Sequence, residues 1–206
     1  MDFDDFRSED PPALLLVVSG SSGVGKDAII DRMKELRCPF FYVVTATTRA
    51  QRANETDGVH YHFVTVESFE QMIEKGELLE WAKVYENFYG VPRRSVSEAM
   101  KNGRDVVVKV DVQGAATIRR AVPGAVLVFI RPPSMEELEN RLRSRRSETA
   151  SELAVRLGKA AGEYKQLPLF DYVLTSQQGR IDEVVRQIQA IVVAEKCRVN
   201  PRRVEL

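Results

Sequence analysis

Most features that would place this chain outside a cell or in a membrane are missing from it. Its two cysteines, Cys38 and Cys197, stand at no metal-ligand or redox spacing, so two free thiols in a reducing compartment are expected. No apolar run approaches the length of a membrane span. The first ten residues, MDFDDFRSED, are acidic rather than basic and then apolar, unlike a secretory leader. Net charge is also absent, with 30 basic residues against 30 acidic ones. Nothing global therefore draws the chain to nucleic acid or to a membrane. Repeats and low-complexity segments are lacking as well. A cytoplasmic protein with neither partner is the expectation, and 206 residues suit one domain with a substantial core.

What is present centres on Ala13 to Ala28, ALLLVVSGSSGVGKDA. A buried apolar strand runs into a glycine-rich turn and then into a helix. Gly20, Ser21, Ser22, Gly23, Val24, Gly25 and Lys26 follow the phosphate-cradling pattern G-x-x-x-x-G-K-[S/T] up to its last position. Glycines let main-chain N–H groups turn inward, and the helix start presents unpaired N–H groups and a positive dipole end. Lys26 adds a cation that can follow moving phosphoryl charge. The last position holds Asp27 instead of a hydroxyl. A carboxylate there can ligate Mg²⁺ directly or through water, but it also repels bare phosphate.

Residues 1–12 read as a solvated acidic tail. Near-continuous apolar strands then alternate with helices, which indicates an α/β fold with a parallel sheet covered on both faces. Strands are expected at 13–19, 40–44, 105–110, 125–130 and about 172–176, and helices from the loop to about 37, then at 93–102, 114–121, 134–146, 153–165 and 181–194. Residues 45–91 differ in texture: a polar turn, short β-type runs and one amphipathic helix at 68–75, a small mixed insert. The polar, positively charged stretch RLRSRRSETASE between two helices is the natural place for a lid, at about 141–159. This division leaves 13–44, 92–140 and 160–197 as the core.

Thr45 to Arg52, TATTRAQR, sets hydroxyls and two arginines just beyond a strand end, the edge of a parallel sheet at which ligands bind. Arg49 and Arg52 can clamp a phosphate monoester, or they are two solvated surface arginines. Asp111 ends an apolar strand at the same edge; it either holds a Mg²⁺-bound water or caps the following helix.

The segments TATTRAQR, DGVHYHFV, LLEWAKVYENFYG and KVDVQGAA, in this order after the phosphate loop, resemble guanylate kinase from about Leu14 to Ala194. The resemblance implies a P-loop NTPase-type core and transfer of the ATP γ-phosphoryl group to GMP, with Mg²⁺ accompanying ATP. It implies that Arg49 and Arg52 hold the GMP phosphate, that the hydroxyls of Tyr61 and Tyr89 share that task, and that Thr45 supports base or phosphate. Glu80 matches the acid that accepts hydrogen bonds from the guanine N1–H and 2-amino group, a donor pair adenine lacks. Arg141, Arg145 and Arg156 match lid and lid-flanking arginines that close on the transferring phosphoryl group. A monomer or homodimer fits this pattern.

Three positions depart from it. Asp27 replaces a hydroxyl, Val91 stands where a Ser or Thr usually follows Tyr-Gly, and Lys109 replaces the first acid of D-x-D-x-Q-G. Lys109 and Asp27 have opposite signs, so an ion pair between them, or between Lys109 and phosphate, is a specific expectation. Ser176 and Gln177 also stand where the family has Asn-Asp near adenine. These changes keep two alternatives open: a catalytically inactive guanylate-kinase-like binding module, and a kinase of another phosphorylated acceptor.

Overall fold

The computed structural model describes residues 11–84, 86–144, 157–158, 160 and 162–206. Five strands form one parallel sheet: β1 (Leu15–Gly20), β2 (Phe41–Tyr42), β7 (Val106–Lys109), β8 (Val126–Arg131) and β9 (Tyr172–Thr175), in the order β2-β7-β1-β8-β9. Alternation along the central strand explains why both faces are covered. Leu14, Leu16 and Val18 pack with Ile29, Ile30 and Met33 of helix α1 (Lys26–Glu35) and with Val184, Val185 and Ile188 of α6 (Ile181–Lys196). Leu15 and Val17 face the other way, onto Val96 and Ala99 of α3 (Arg93–Lys101) and Ala115 and Ile118 of α4 (Val112–Ala121).

The insert carries a second, four-stranded sheet, ordered β4-β3-β6-β5, which runs one residue past its expected end to Pro92. It comprises β3 (Ala46–Thr47), β4 (His62–Phe63), β5 (Leu78–Val84) and β6 (Asn87–Pro92). Helix α2 (Val66–Glu74) starts at Thr65, whose hydroxyl accepts from Ser68 N at 3.1 Å. It contributes Phe69 to a small separate core with Ala46 and Leu78, where Phe69 stacks on Phe88 at 5.4 Å. Helix α5 is Met135–Ser144.

Most expected elements form within a residue or two of their expected ends. The strand expected at 40–44 is shorter, reduced to Phe41–Tyr42, because the chain leaves β7 after one more bond, Val43 N to Val107 O at 3.1 Å, to enter the insert. The helix expected at 114–121 begins two residues earlier, at Val112, behind its cap Asp111. The acidic tail up to residue 10 and most of the lid, with Arg145 and Arg156, lie outside the described residues.

Sheet register positions the site. Val18 of β1 is level with Lys109 of β7, so the strand leading into the phosphate loop and the strand leading to Asp111 end side by side. The loop after β1 and the turn before α4 thus share one carboxyl-end edge of the sheet.

Candidate active site

The phosphate loop is shaped by close backbone packing. A Cβ on Gly20 would fall 2.0 Å from Ile130 O, and its φ of 141° is one that side chains avoid, so only glycine fits there. Lys26 folds back over the loop, its Nζ donating to Gly20 O at 2.6 Å and Ser21 O at 3.2 Å. Burial pushes this ammonium down to about 8, against the pull of Glu163, Asp27 and Asp111. Ser22 N donates to the Glu163 carboxylate at 3.1 Å. A carboxylate thus already sits on one of the loop's main-chain amides.

Asp27 and Lys109 meet: the Lys109 ammonium is ion-paired with the Asp27 carboxylate and also donates to Tyr61 Oη at 3.1 Å. The ion pair expected between Lys109 and Asp27 is formed. The ammonium lies 5.0 Å from the centre of the Tyr61 ring. Burial works against the Lys109 charge, yet Asp27 and Tyr61 leave its pKa raised overall.

Opposite the loop, Arg49 lies with its guanidinium carbon 5.4 Å from the Tyr61 ring centre, and Tyr61 meets Tyr89 edge-on at 6.1 Å. Arg49 is aimed by Glu55, which accepts from Nη2 at 2.8 and 3.0 Å and from Arg52 N at 2.9 Å. A cavity of about 480 Å³ brings together Lys26, Asp27, Thr45, Arg49, Arg52, Tyr61, Tyr89 and Lys109.

A second cavity, about 220 Å³, reaches from Lys26, Thr45, Tyr61 and Tyr89 to Glu80 and Asp111. Glu80 is 4% exposed, and among the described residues its Oε2 has no hydrogen-bond partner. Burial, and then the nearby Asp111 carboxylate, raise its pKa to about 8. A Cβ on Gly114 would come within 2.7 Å of Oε2, so the absent side chain is what leaves the carboxyl group room. Val91 pairs with Glu80 across the β5–β6 ladder and is fully buried among apolar side chains, so no hydroxyl is offered at that position.

Of the two roles expected for Asp111, the cap is formed. Its Oδ1 caps α4, accepting from Gly114 N at 2.9 Å, while its buried Oδ2 has no partner among the described residues. Arg141 is held away from the first cavity's lining: it donates to Val24 O at 3.1 Å and Ser176 O at 2.7 Å and is paired with Glu137. It therefore ties the phosphate loop to the end of β9 instead of reaching the cleft. Arg145 and Arg156 lie outside the described residues.

Sequence reasoning passed over Glu55, Glu137 and Glu163. Glu55 alone carried a signal, as the first acid after the two arginines.

No group of three or more His, Cys, Asp and Glu side chains comes together among the described residues. Asp27, ion-paired with Lys109, and Asp111, whose buried Oδ2 has no partner among the described residues, line one cavity beside Lys26. Two carboxylates there suit a Mg²⁺ ion arriving on a nucleotide, which keeps several waters and takes few protein ligands. No helix among the described residues is long and apolar enough to cross a membrane.

The chain is similar to known proteins. A family model described as guanylate kinase matches residues 13–195. The chain is 42% identical to a guanylate kinase of Caldanaerobacter subterraneus subsp. tengcongensis, over 91% of this chain and 90% of that protein. It is 44% identical to guanylate kinase 2, chloroplastic/mitochondrial, of Oryza sativa subsp. japonica, over 95% of this chain and 69% of that one. Among solved structures, the guanylate kinase of Anaplasma phagocytophilum superposes with a TM-score of 0.75 at 31% identity, covering 93% of this chain and 89% of that one.

Proposed function

Since the chain belongs to the guanylate kinase family, with transfer of the ATP γ-phosphoryl group to GMP as its reaction, we propose a division of that work among its residues. The products are ADP and GDP. The observation carrying the assignment is Glu80, a buried carboxyl group with an unpartnered oxygen at the end of a cavity continuous with the phosphate loop. Ionised, it accepts from the guanine N1–H and 2-amino group, and an adenine in its place leaves that charge unpaired. Asp111 Oδ2 adds a second acceptor beside it.

From the base, GMP extends past Thr45 to its phosphate between Arg49, Arg52, Tyr61 and Tyr89. Glu55 holds Arg49 in place, so the guanidinium is ordered before substrate arrives. The donor triphosphate lies on the main-chain amides of residues 20–26, with Lys26 leaving its own loop carbonyls for phosphate oxygens. Charge spreads over the phosphoryl oxygens as the group moves, and cations placed beforehand stabilise it without a strong base. Mg²⁺, held by Asp27 and Asp111 directly or through water, supplies further neutralisation of that charge when bound with ATP.

Arg141 steadies the donor loop, and Arg145 and Arg156 belong to the lid at about 141–159. The insert 45–91 is the acceptor-binding part, on the core 13–44, 92–140 and 160–197. A cytoplasmic monomer or homodimer completes the proposal.

Coupled measurement of ADP release with GMP, dGMP, AMP and ribose bisphosphate as acceptors, with and without Mg²⁺, tests it. Turnover should require the metal and favour GMP over AMP by about ten-thousandfold, the scale of discrimination a buried polar reader provides. Comparable rates with AMP would remove the role given to Glu80.

A further inference from the structure

We propose that a groove at the amino end of the parallel sheet is the seat of this chain's own residues 1–10, held there by aromatic rings and acidic side chains. The groove is walled by residues ahead of β1, whereas the phosphate loop follows β1 at the other end of the sheet. The inference is therefore independent of the nucleotide assignment above.

A cavity of about 780 Å³ opens between residues 11–13, the end of α3 and the segment after α6. Pro11, Pro12, Met100, Val199, Pro201 and Val204 supply its apolar lining. Val199 is 96% exposed and Leu206 is 40% exposed, so this apolar wall is left uncovered. Its charged lining is nearly all of one sign: Lys101, Lys196, Arg198 and Arg203 against Glu205. Lys196 is paired with Asp105 at 2.9 Å, and Arg198 with Glu195 at 3.5 Å. Lys101 and Arg203 have no ion-pair partner among the described residues. Apolar and cationic walls in one groove fit a segment that carries aromatic rings and acids together.

The chain has such a segment at the edge of the groove. Residues 2–10, DFDDFRSED, hold five acids against Arg7 alone, with Phe3 and Phe6 set among them. Composition by itself gives a solvated tail, because so few apolar groups cannot build a core of their own. A preformed groove changes that balance, since the two rings gain burial without having to create it. Pro11 and Pro12 belong to the groove wall, so the segment starts from its seat instead of having to find it. Phe6 is separated from Pro11 by at most about 18 Å of extended chain. A tether that short gives an effective concentration of roughly millimolar, so modest contacts are enough. The corresponding segment of a second copy lacks this advantage, which decides for the chain's own residues.

A native reporter lies beside the groove. Cys197 is exposed between the lining residues Lys196 and Arg198, whereas Cys38 is buried. A nitroxide on Cys197 of the full, isotope-labelled chain should broaden the amide signals of Asp4 and Asp5 in NMR spectra. The broadening should weaken as salt is added. It should fall severalfold in the double variant Phe3→Ser/Phe6→Ser and in Lys101→Glu/Arg203→Glu, with circular dichroism confirming the fold of each. Sharp signals in the parent overturn the inference, and so does broadening that persists unchanged in either folded variant. Should the groove variant not fold, the aromatic variant decides alone. A mixture of nitroxide-bearing protein without isotope and isotope-labelled protein without nitroxide should show no broadening. Broadening in that mixture as strong as within one chain makes a second copy the occupant and overturns the inference as well.

Discussion

At the scale of single residues, Glu80 is the side chain whose chemistry is most exposed to test. Free, it holds its proton up to a pKa of about 8, because burial and the neighbouring Asp111 both oppose its charge. Guanine binding needs the ionised form, so each GMP bound at pH 7 should release close to one proton. Below pH 8, GMP affinity should fall by about tenfold per pH unit, which calorimetry in buffers of different ionisation enthalpy will show. Glu80→Gln should flatten that dependence and cost about 2 kcal/mol of GMP binding, the scale of a hydrogen bond to a charged group, while ATP affinity holds. The same raised pKa sets a trend in stability. The unfolded carboxyl group ionises near its ordinary 4.5 and the folded one near 8. Fold stability should therefore decline from pH 4.5 to 8 in the parent, and this decline should be absent in the glutamine variant.

At the scale of elements, the turn between β7 and α4 carries both architecture and chemistry through one aspartate. Asp111 caps α4 with one oxygen and leaves the other unpartnered in the cavity. Two substitutions separate these roles. Asp111→Asn keeps an acceptor for Gly114 N, so it should leave thermal stability nearly intact while impairing metal-dependent turnover. Asp111→Ala should lose turnover and also about 1 kcal/mol of stability from the vacated cap. Equal turnover in parent and asparagine variant would leave Asp111 as a cap alone.

Elements of this kind were largely legible in the sequence, because a buried parallel strand writes itself as an unbroken apolar run and a phosphate loop as closely spaced glycines. Contacts across long separations were not. Glu163 meets Ser22 141 residues away, and no spacing rule marks such a pair. Arg141 was legible as a cation near the donor, but not its direction, which Glu137, Val24 O and Ser176 O decide. The pairing of Asp27 with Lys109 could be anticipated because two opposite charges had replaced expected residues, and sheet register brings them together. Length was misjudged where the chain changes sheets, as at Phe41–Tyr42, since apolar character continues past the point where the ladder stops.

At the scale of the whole molecule, a partly exposed charge cluster around Asp171 fastens the segment at Arg202 to the sheet. Asp171 accepts from Leu127 N at 2.8 Å, from Arg119 Nη2 at 2.6 Å and from Arg202 Nη2 at 3.1 Å. Arg202 Nε also donates to Glu195 of α6 at 2.9 Å, and Glu195 accepts from the Tyr172 hydroxyl at 2.7 Å. Removing the shared acceptor takes one partner from each of two guanidiniums and leaves the Leu127 amide without its acceptor. Asp171→Ala should lower unfolding free energy by roughly 2 kcal/mol in urea denaturation, without changing GMP affinity, because the cluster lies outside both cavities.

The glutamate resting on the Ser22 amide gives the loop a tenant of its own. On the residue assignment proposed above, an incoming triphosphate exchanges one negative group for another there rather than filling a bare positive hole.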